Sequence, residues 1–168
     1  IKNHSAGHIS SEEAARIVAT LQEKIGGDGI AMHAGVSYRH LLVADGLDPD
    51  LDCTPPHDHP GELVEPLMIK AKTPAAQATA DRLNALTRKS WEILEDHPIN
   101  RTRRAAGKDP ANSIWLWSPG RRPKMETFQK RFGVTGAVIS AVDLIRGIGV
   151  YAGLEVLKVE GATGLWDT

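Results

Sequence analysis

The chain has 168 residues, 41% of them apolar, enough for one domain with a hydrophobic core. Its formal net charge of −1 excludes a polyphosphate-binding surface spread over the whole molecule, so any positive site must be local. The single cysteine, Cys53, excludes an internal disulfide, and no apolar run reaches the ~18 residues a membrane span needs. The first ten residues, IKNHSAGHIS, lack the apolar stretch of a signal peptide. Both ends read as cuts within a longer polypeptide, and a reducing, cytoplasmic setting is expected.

In chain order, Ser10 and Glu13 form a capping box, and Ala14, Ile17, Val18, Leu21 and Ile25 follow at helical spacing. This predicts a helix over 10–25, ended by Gly26-Gly27. Residues 29–46 hold two short apolar runs around Ala34-Gly35 and predict an antiparallel hairpin. Residues 45–73 are rich in Pro, Asp and Gly and read as a long loop. Thr73-Pro74 opens a second helix with a stripe of Leu83, Leu86, Ser90, Ile93 and Leu94, which His97-Pro98 closes. SIWLWS (113–118) reads as a strand and 123–132 as a short helix stopped by Gly133. GAVIS (136–140), AVDLIRGIGVYAG (141–153) and LEVLKV (154–159) make a β-α-β unit, so part of the sheet should be parallel. The expected fold is α+β: a two-layer α/β sandwich with a mixed sheet, helices packed mainly on one face and a C-terminal β-α-β unit.

Three stretches carry candidate chemistry. Residues 97–117 place Arg101, Arg103, Arg104 and Lys108 within eight positions, a pattern open to three readings: a solvated connection, a nucleic-acid patch or a cradle for one small anion. The run lacks interleaved aromatics, which disfavours nucleic acid. Arg103 and Lys108 converge if the chain turns back at Gly107, with Asn100 and Asn112 as neutral donors. In Tyr38-Arg39-His40, a strand would put Tyr38 and His40 on one face and Arg39 on the other. His57-Asp58-His59 has a metal-like spacing, but no further ligand motif supports zinc. No nucleophile elbow, P-loop or dinucleotide fingerprint is present.

Five motifs stand in the order found in one family: SAGHISSEEA, GVSYRHLLV, TPPHD, HPIN with Arg103, GKDPAN and IWLW, and the closing GAVISAVDLIRGIGVYAGLEVLKVEGATG with WDT. Together they resemble the archaeal-type, cofactor-independent phosphoglycerate mutases of the alkaline phosphatase superfamily, some of which carry a proposed homoserine kinase label. The resemblance spans essentially the whole chain. It implies interconversion of 3-phosphoglycerate and 2-phosphoglycerate by a larger metalloenzyme. In that enzyme a Ser on a phosphatase domain attacks the phosphoryl group with the help of two divalent metals (Mn, Mg or Zn). Residues 1–168 then correspond to the inserted substrate-binding domain alone, with the nucleophilic Ser upstream. No metal is expected on this fragment, and it should be inactive by itself.

Carried over position by position, the resemblance implies a substrate site of His8, Arg39, His40, His57, Asp58, Asn100, Arg103, Lys108, Asn112 and Arg146. Arg39, Arg103 and Arg146 would neutralise phosphate and carboxylate, and His40 and Asp58 would hold glycerate hydroxyls. Arg146 occupies a position usually held by Lys. Arg101 and Arg104 match no motif and should be solvated. The implied partners are a small phosphorylated acid and the phosphatase domain of the same polypeptide, with no nucleic acid and no membrane. Two departures widen the substrate question. WLWSPG stands where the family has WLWGQG, and Pro119 removes a backbone donor. PLMIKAKTP also lacks the family's small Gly-containing turn. Another phosphotransfer on the same scaffold, or a non-enzymatic interaction module, remain the alternative readings.

Overall fold

The computed structural model describes residues 1–162; the end of the last motif, residues 163–168, lies outside them. The chain divides into two compact units, Ile1–Gly120 and Arg121–Thr168.

The first unit is built on two helices. Helix α1 (Ser11–Ile25) starts where expected: the Ser10 hydroxyl accepts from the Glu13 amide, and Ala14, Ile17, Val18 and Leu21 form its buried stripe. Ala14, Ile17 and Leu21 pack with Ile9, Leu94 and Ile99. Strands β1 (Ile30–Ala34) and β2 (His40–Ala44) form the predicted antiparallel hairpin, pairing Ile30 with Ala44 and Ala34 with His40. The long loop holds more order than its composition suggests. Strands β3 (Leu51–Asp52) and β4 (Lys70–Ala71) pair antiparallel across it, and it contains 3-10 turns at Pro56–Asp58 and Glu65–Leu67. Leu51 and Ile69 pack with Ala76, Ala80 and Leu83 in a second core cluster.

Helix α2 (Gln77–Glu95) follows a 3-10 turn, Pro74–Ala76, capped by the Thr73 side chain as expected. A helix that the sequence did not announce comes next, α3 (Pro98–Ala105). His97-Pro98 ends α2 and also begins α3, because Pro is well placed in a first turn and the His97 ring accepts from the Ile99 amide. The three arginines of the basic run are therefore helical, and Lys108 follows the helix end. The predicted strand at 113–118 does not form. Its backbone is held by side chains instead: the Ile114 amide donates to Ser90 Oγ at 3.0 Å, as the Ala111 amide just before it does to Asn100 Oδ1 at 2.9 Å.

The second unit contains α4 (Phe128–Phe132), β5 (Ala137–Val138), α5 (Asp143–Tyr151) and β6 (Glu155–Val156). Gly133, at φ +71°, stops α4 in the left-handed conformation. β5 and β6 pair in parallel, so the predicted β-α-β unit is present. The α+β class holds, but the single mixed sheet does not: the described strands form three separate two-stranded sheets. The strands are only two to five residues long, and the antiparallel and parallel pairs lie in different units. Among the described residues no helix is long and apolar enough to cross a membrane.

Candidate functional site

Four stretches of the first unit meet around Tyr38. The first is the turn before α1, where Ala6, Gly7 and His8 all take positive φ (48°, 64° and 53°). This costly conformation for Ala and His is held by Ser5, whose hydroxyl accepts from the His8 amide at 3.1 Å and whose carbonyl accepts from the Ile9 amide at 3.1 Å. The second stretch is the hairpin loop. Ser37 donates its hydroxyl to the Ile9 carbonyl at 2.6 Å and its amide to Ser11 Oγ at 2.9 Å, tying the loop to the start of α1. Tyr38 thereby lies edge-on to His4 (ring centroids 5.4 Å apart) and His8 (6.2 Å). The guanidinium of Arg39 sits over the Tyr38 ring, 5.2 Å from its centroid.

The third stretch is the Pro56–Asp58 turn, which places His57 6.0 Å from His4, with Asp58 Oδ1 3.6 Å from His57 Nε2. The fourth is the segment after α3. Trp115 Nε1 donates to the Thr54 carbonyl at 2.8 Å, and Trp117 meets the His57 ring at 5.3 Å. His8, Arg39, His57 and Asp58 are all exposed on this surface. The structure thus gathers these four expected residues from three distant segments. It adds His4, Tyr38 and Trp117, which sequence reasoning did not place in the site. The spacing of His4 and His8 on either side of a Gly turn was the available signal for the first.

Arg103 and Asn100 lie elsewhere, and their assignment as open ligands needs correction. Arg103 is 3% exposed. Its Nε donates to the Asp109 carbonyl at 2.8 Å, one terminal nitrogen pairs with Glu13 Oε2 at 2.7 Å, and the other donates to the Ala6 carbonyl. The fork that suits phosphate is turned inward, onto the start of α1 and the turn carrying His8. Asn100 is fully buried; its amide donates to the Leu94 and Ala111 carbonyls at 2.8 and 2.9 Å. Both side chains set the framework behind the site. Asp109 belongs to the same framework: hydrogen bonds from Lys2 (2.6 Å) and Asn3 (3.0 Å) hold its carboxyl below its ordinary pKa.

The chain does turn back at Gly107 (φ +68°), with the Lys108 amide donating to the Arg103 carbonyl at 2.8 Å. That turn leaves Lys108 and Asn112 exposed while Arg103 points into the core, so Arg103 and Lys108 do not present a shared cation pair. Arg101 and Arg104 are surface residues paired with Asp96 (3.0 Å) and Glu95 (3.1 Å), as expected of solvated charges. Tyr38 and Arg39 lie in the hairpin loop rather than in β2, so strand alternation does not orient them. His40, the first residue of β2, accepts from the Gly35 amide through Nδ1 at 3.2 Å. It keeps an exposed edge, yet desolvation of the ring lowers its pKa. Arg146 lies on α5 of the second unit, where Nε donates to the Ser140 carbonyl at 2.6 Å.

His57 and His59 do not converge on a metal centre. His57 faces Trp117 and His4, whereas His59 Nδ1 pairs with Glu62 Oε1 at 2.9 Å. Among the described residues no three His, Cys, Asp or Glu side chains are grouped to hold a metal ion. The resemblance places its two divalent metals on a phosphatase domain, not on these residues.

Comparison with known proteins gives this geometry a context. A family model described as 2,3-bisphosphoglycerate-independent phosphoglycerate mutase matches residues 1–100. The chain is 48% identical to the protein of that name from Methanosarcina barkeri and 46% identical to a probable one from Geobacter sulfurreducens. Each alignment covers 100% of this chain but 41% of the relative, so the chain spans about two-fifths of the length of these relatives. Among solved structures, a Pyrococcus horikoshii protein superposes with a TM-score of 0.68 at 26% identity, covering 96% of this chain and 37% of that one. The cofactor-independent phosphoglycerate mutase of Thermoplasma acidophilum gives 0.63 at 24% identity, over 94% and 43% of the two chains, a likeness of fold. With the family model matching more than half its length, the chain belongs to the 2,3-bisphosphoglycerate-independent phosphoglycerate mutase family.

Proposed function

We propose that this chain forms the substrate-binding part, inserted in a longer polypeptide, of an enzyme interconverting 3-phosphoglycerate and 2-phosphoglycerate in cytoplasmic glycolysis and gluconeogenesis. The observation that carries this reading is the surface around Tyr38. There an exposed guanidinium, two exposed imidazoles and a carboxylate meet in a chain of that family.

The substrate carries about three negative charges near neutral pH, so recognition needs several cationic or N–H donors in one place. Arg39 supplies a planar fork already oriented by stacking on Tyr38, which reduces the entropy lost on binding. His8 and His57 supply N–H donors whose rings are positioned by Tyr38 and Trp117. Asp58 is an acceptor suited to a glycerate hydroxyl. Lys108, Asn112 and His40 extend the polar surface of the same unit, and Arg146 is a cation candidate within the second. Asn100 and Arg103 act as positioning residues. The nucleophilic Ser and the divalent metals belong to a phosphatase domain on the rest of the polypeptide, the chain's partner in the reaction. Holding the glycerate on a separate unit lets closure exclude water, which favours return of the phosphoryl group over its hydrolysis.

The test is an interconversion assay on the full-length protein, with calorimetry against 3-phosphoglycerate and homoserine. Interconversion and binding of 3-phosphoglycerate are expected, and the 168-residue chain alone should show no turnover. Binding of homoserine without 3-phosphoglycerate would move the assignment to another phosphotransfer.

A further inference from the structure

A second concavity of the first unit, of about 500 Å³, lies between α1 and the junction of α2 with α3. That size is in the range of small-molecule sites. Arg16, Thr20 and Lys24 line it from one face of α1, each four positions from the next. Ile93 of α2, with His97 and Ile99 at the head of α3, faces them. None of these residues belongs to the Tyr38 surface. Arg16 and Lys24 are exposed, and among the described residues neither forms an ion pair. Asp96 also lines the cleft, but its carboxylate is paired with Arg101 at 3.0 Å. The polar wall is closed on itself. The Ile99 amide donates to His97 Nδ1 at 3.3 Å, His97 Nε2 meets Thr20 Oγ1 at 3.2 Å, and the Thr20 hydroxyl donates to the Arg16 carbonyl at 3.2 Å. Two unanswered positive charges remain, above an apolar floor of Ile93 and Ile99. Their field reaches the wall: burial first, then the charges of Arg16 and Arg101, lower the pKa of His97.

We propose that this cleft binds a small organic dianion of the dicarboxylate class, one acidic group at Arg16, the other at Lys24, and the carbon chain between them on Ile93 and Ile99. The spacing sets the class. Arg16 and Lys24 stand about 12 Å apart along the helix axis, so both reach inward to a ligand lying between them. A ligand with two separated charges answers both cations, whereas a single carboxylate answers one. The floor suits a short aliphatic chain. The cleft offers no Phe, Tyr or Trp on which a nucleotide base would stack. Arg16 grips a carboxylate with its fork, and Lys24 acts as a point charge. Both contacts are open to solvent, so the dissociation constant should be about 1–10 mM. The site goes beyond the functional reading above and does not depend on it.

The test is a titration of the full-length protein with adipate, a six-carbon dicarboxylate, following the NMR signals of the Thr20 and Ile99 amides. Acetate at matched ionic strength is the control. With adipate both signals should shift and saturate; with acetate they should drift without saturating. The variant R16Q/K24Q removes both charges from exposed positions while keeping good helix formers, and should weaken adipate at least tenfold. K24Q alone should remove most of the preference for adipate over acetate. R39A, on the Tyr38 surface, should leave the adipate midpoint unchanged. Signals that never saturate, or that respond alike to adipate and acetate, would reduce the effect to ionic screening and overturn the proposal. An R16Q/K24Q or K24Q variant with the parent's adipate midpoint and acetate response would overturn it too. Loss of the shifts in R39A would move the ligand to the Tyr38 surface and refute a second site.

Discussion

Arg103 separates a framework residue from a ligand by its effect on stability. In R103A the Glu13 carboxylate loses its partner, and the Ala6 and Asp109 carbonyls lose their donors in a part of the protein closed to water. Breaking a buried ion pair by removing one side costs about 3–5 kcal/mol. Glu13 retains some contact with water, which places the expected loss near the lower end, about 3 kcal/mol. That is a large part of a stability of roughly 5–15 kcal/mol. With a urea slope of about 2 kcal/mol/M, the unfolding midpoint of the 168-residue chain should fall by about 1.5 M, followed by circular dichroism. R103K keeps the charge but cannot span three acceptors with one fork, so its midpoint should lie between the two. An R103A midpoint equal to the parent's, with ligand binding lost in the full-length protein, would refute the framework role and restore Arg103 as a direct ligand.

Arg39 should behave in the opposite way. R39A removes an exposed side chain, so stability should change by no more than about 0.5 kcal/mol, while binding of 3-phosphoglycerate by the full-length protein weakens by about 1.5–3 kcal/mol in calorimetry. His97 makes α3 sensitive to acid. Its Nδ1 accepts from the Ile99 amide at 3.3 Å and its Nε2 faces Thr20 Oγ1 at 3.2 Å, an arrangement that requires the neutral ring. Burial, then Arg16 and Arg101, lower its pKa from 6.5. The unfolded chain therefore binds the proton more readily, and stability should be full above about pH 6.5 and decline as pH falls through the depressed folded value. Denaturant titrations across that window should show the decline, and H97N, which keeps a capping side chain without a titrating ring, should flatten it. In the second unit, G149A places a methyl group against Val138 and should force α5 away from β5; thermal unfolding of the full-length protein should register a loss of about 1–3 kcal/mol.

What the linear order of residues determined by itself was local. The capping box of α1, the β1–β2 hairpin and the Thr73-Pro74 start each depend on neighbours within a few positions, and the C-terminal β-α-β unit shows in the succession of short apolar runs around a helical one, so periodicity and turn chemistry reveal them. Five motifs in order also revealed the family. Tertiary structure decided the rest. Arg103 and Lys108 lie five positions apart in one basic run, yet one points inward to Glu13 and the other faces water. Nothing in their spacing separates them; the difference is set by which carbonyls and carboxylates distant segments bring to that place. The same holds for His4, Tyr38, His57 and Trp117, whose meeting depends on Ser37 reaching Ile9 and Trp115 reaching Thr54. The strand at 113–118 was lost for a related reason: its apolar pattern suited a strand, but the Ile114 amide found Ser90 as a partner, and a backbone group bonded to a side chain is no longer free to pair with a strand.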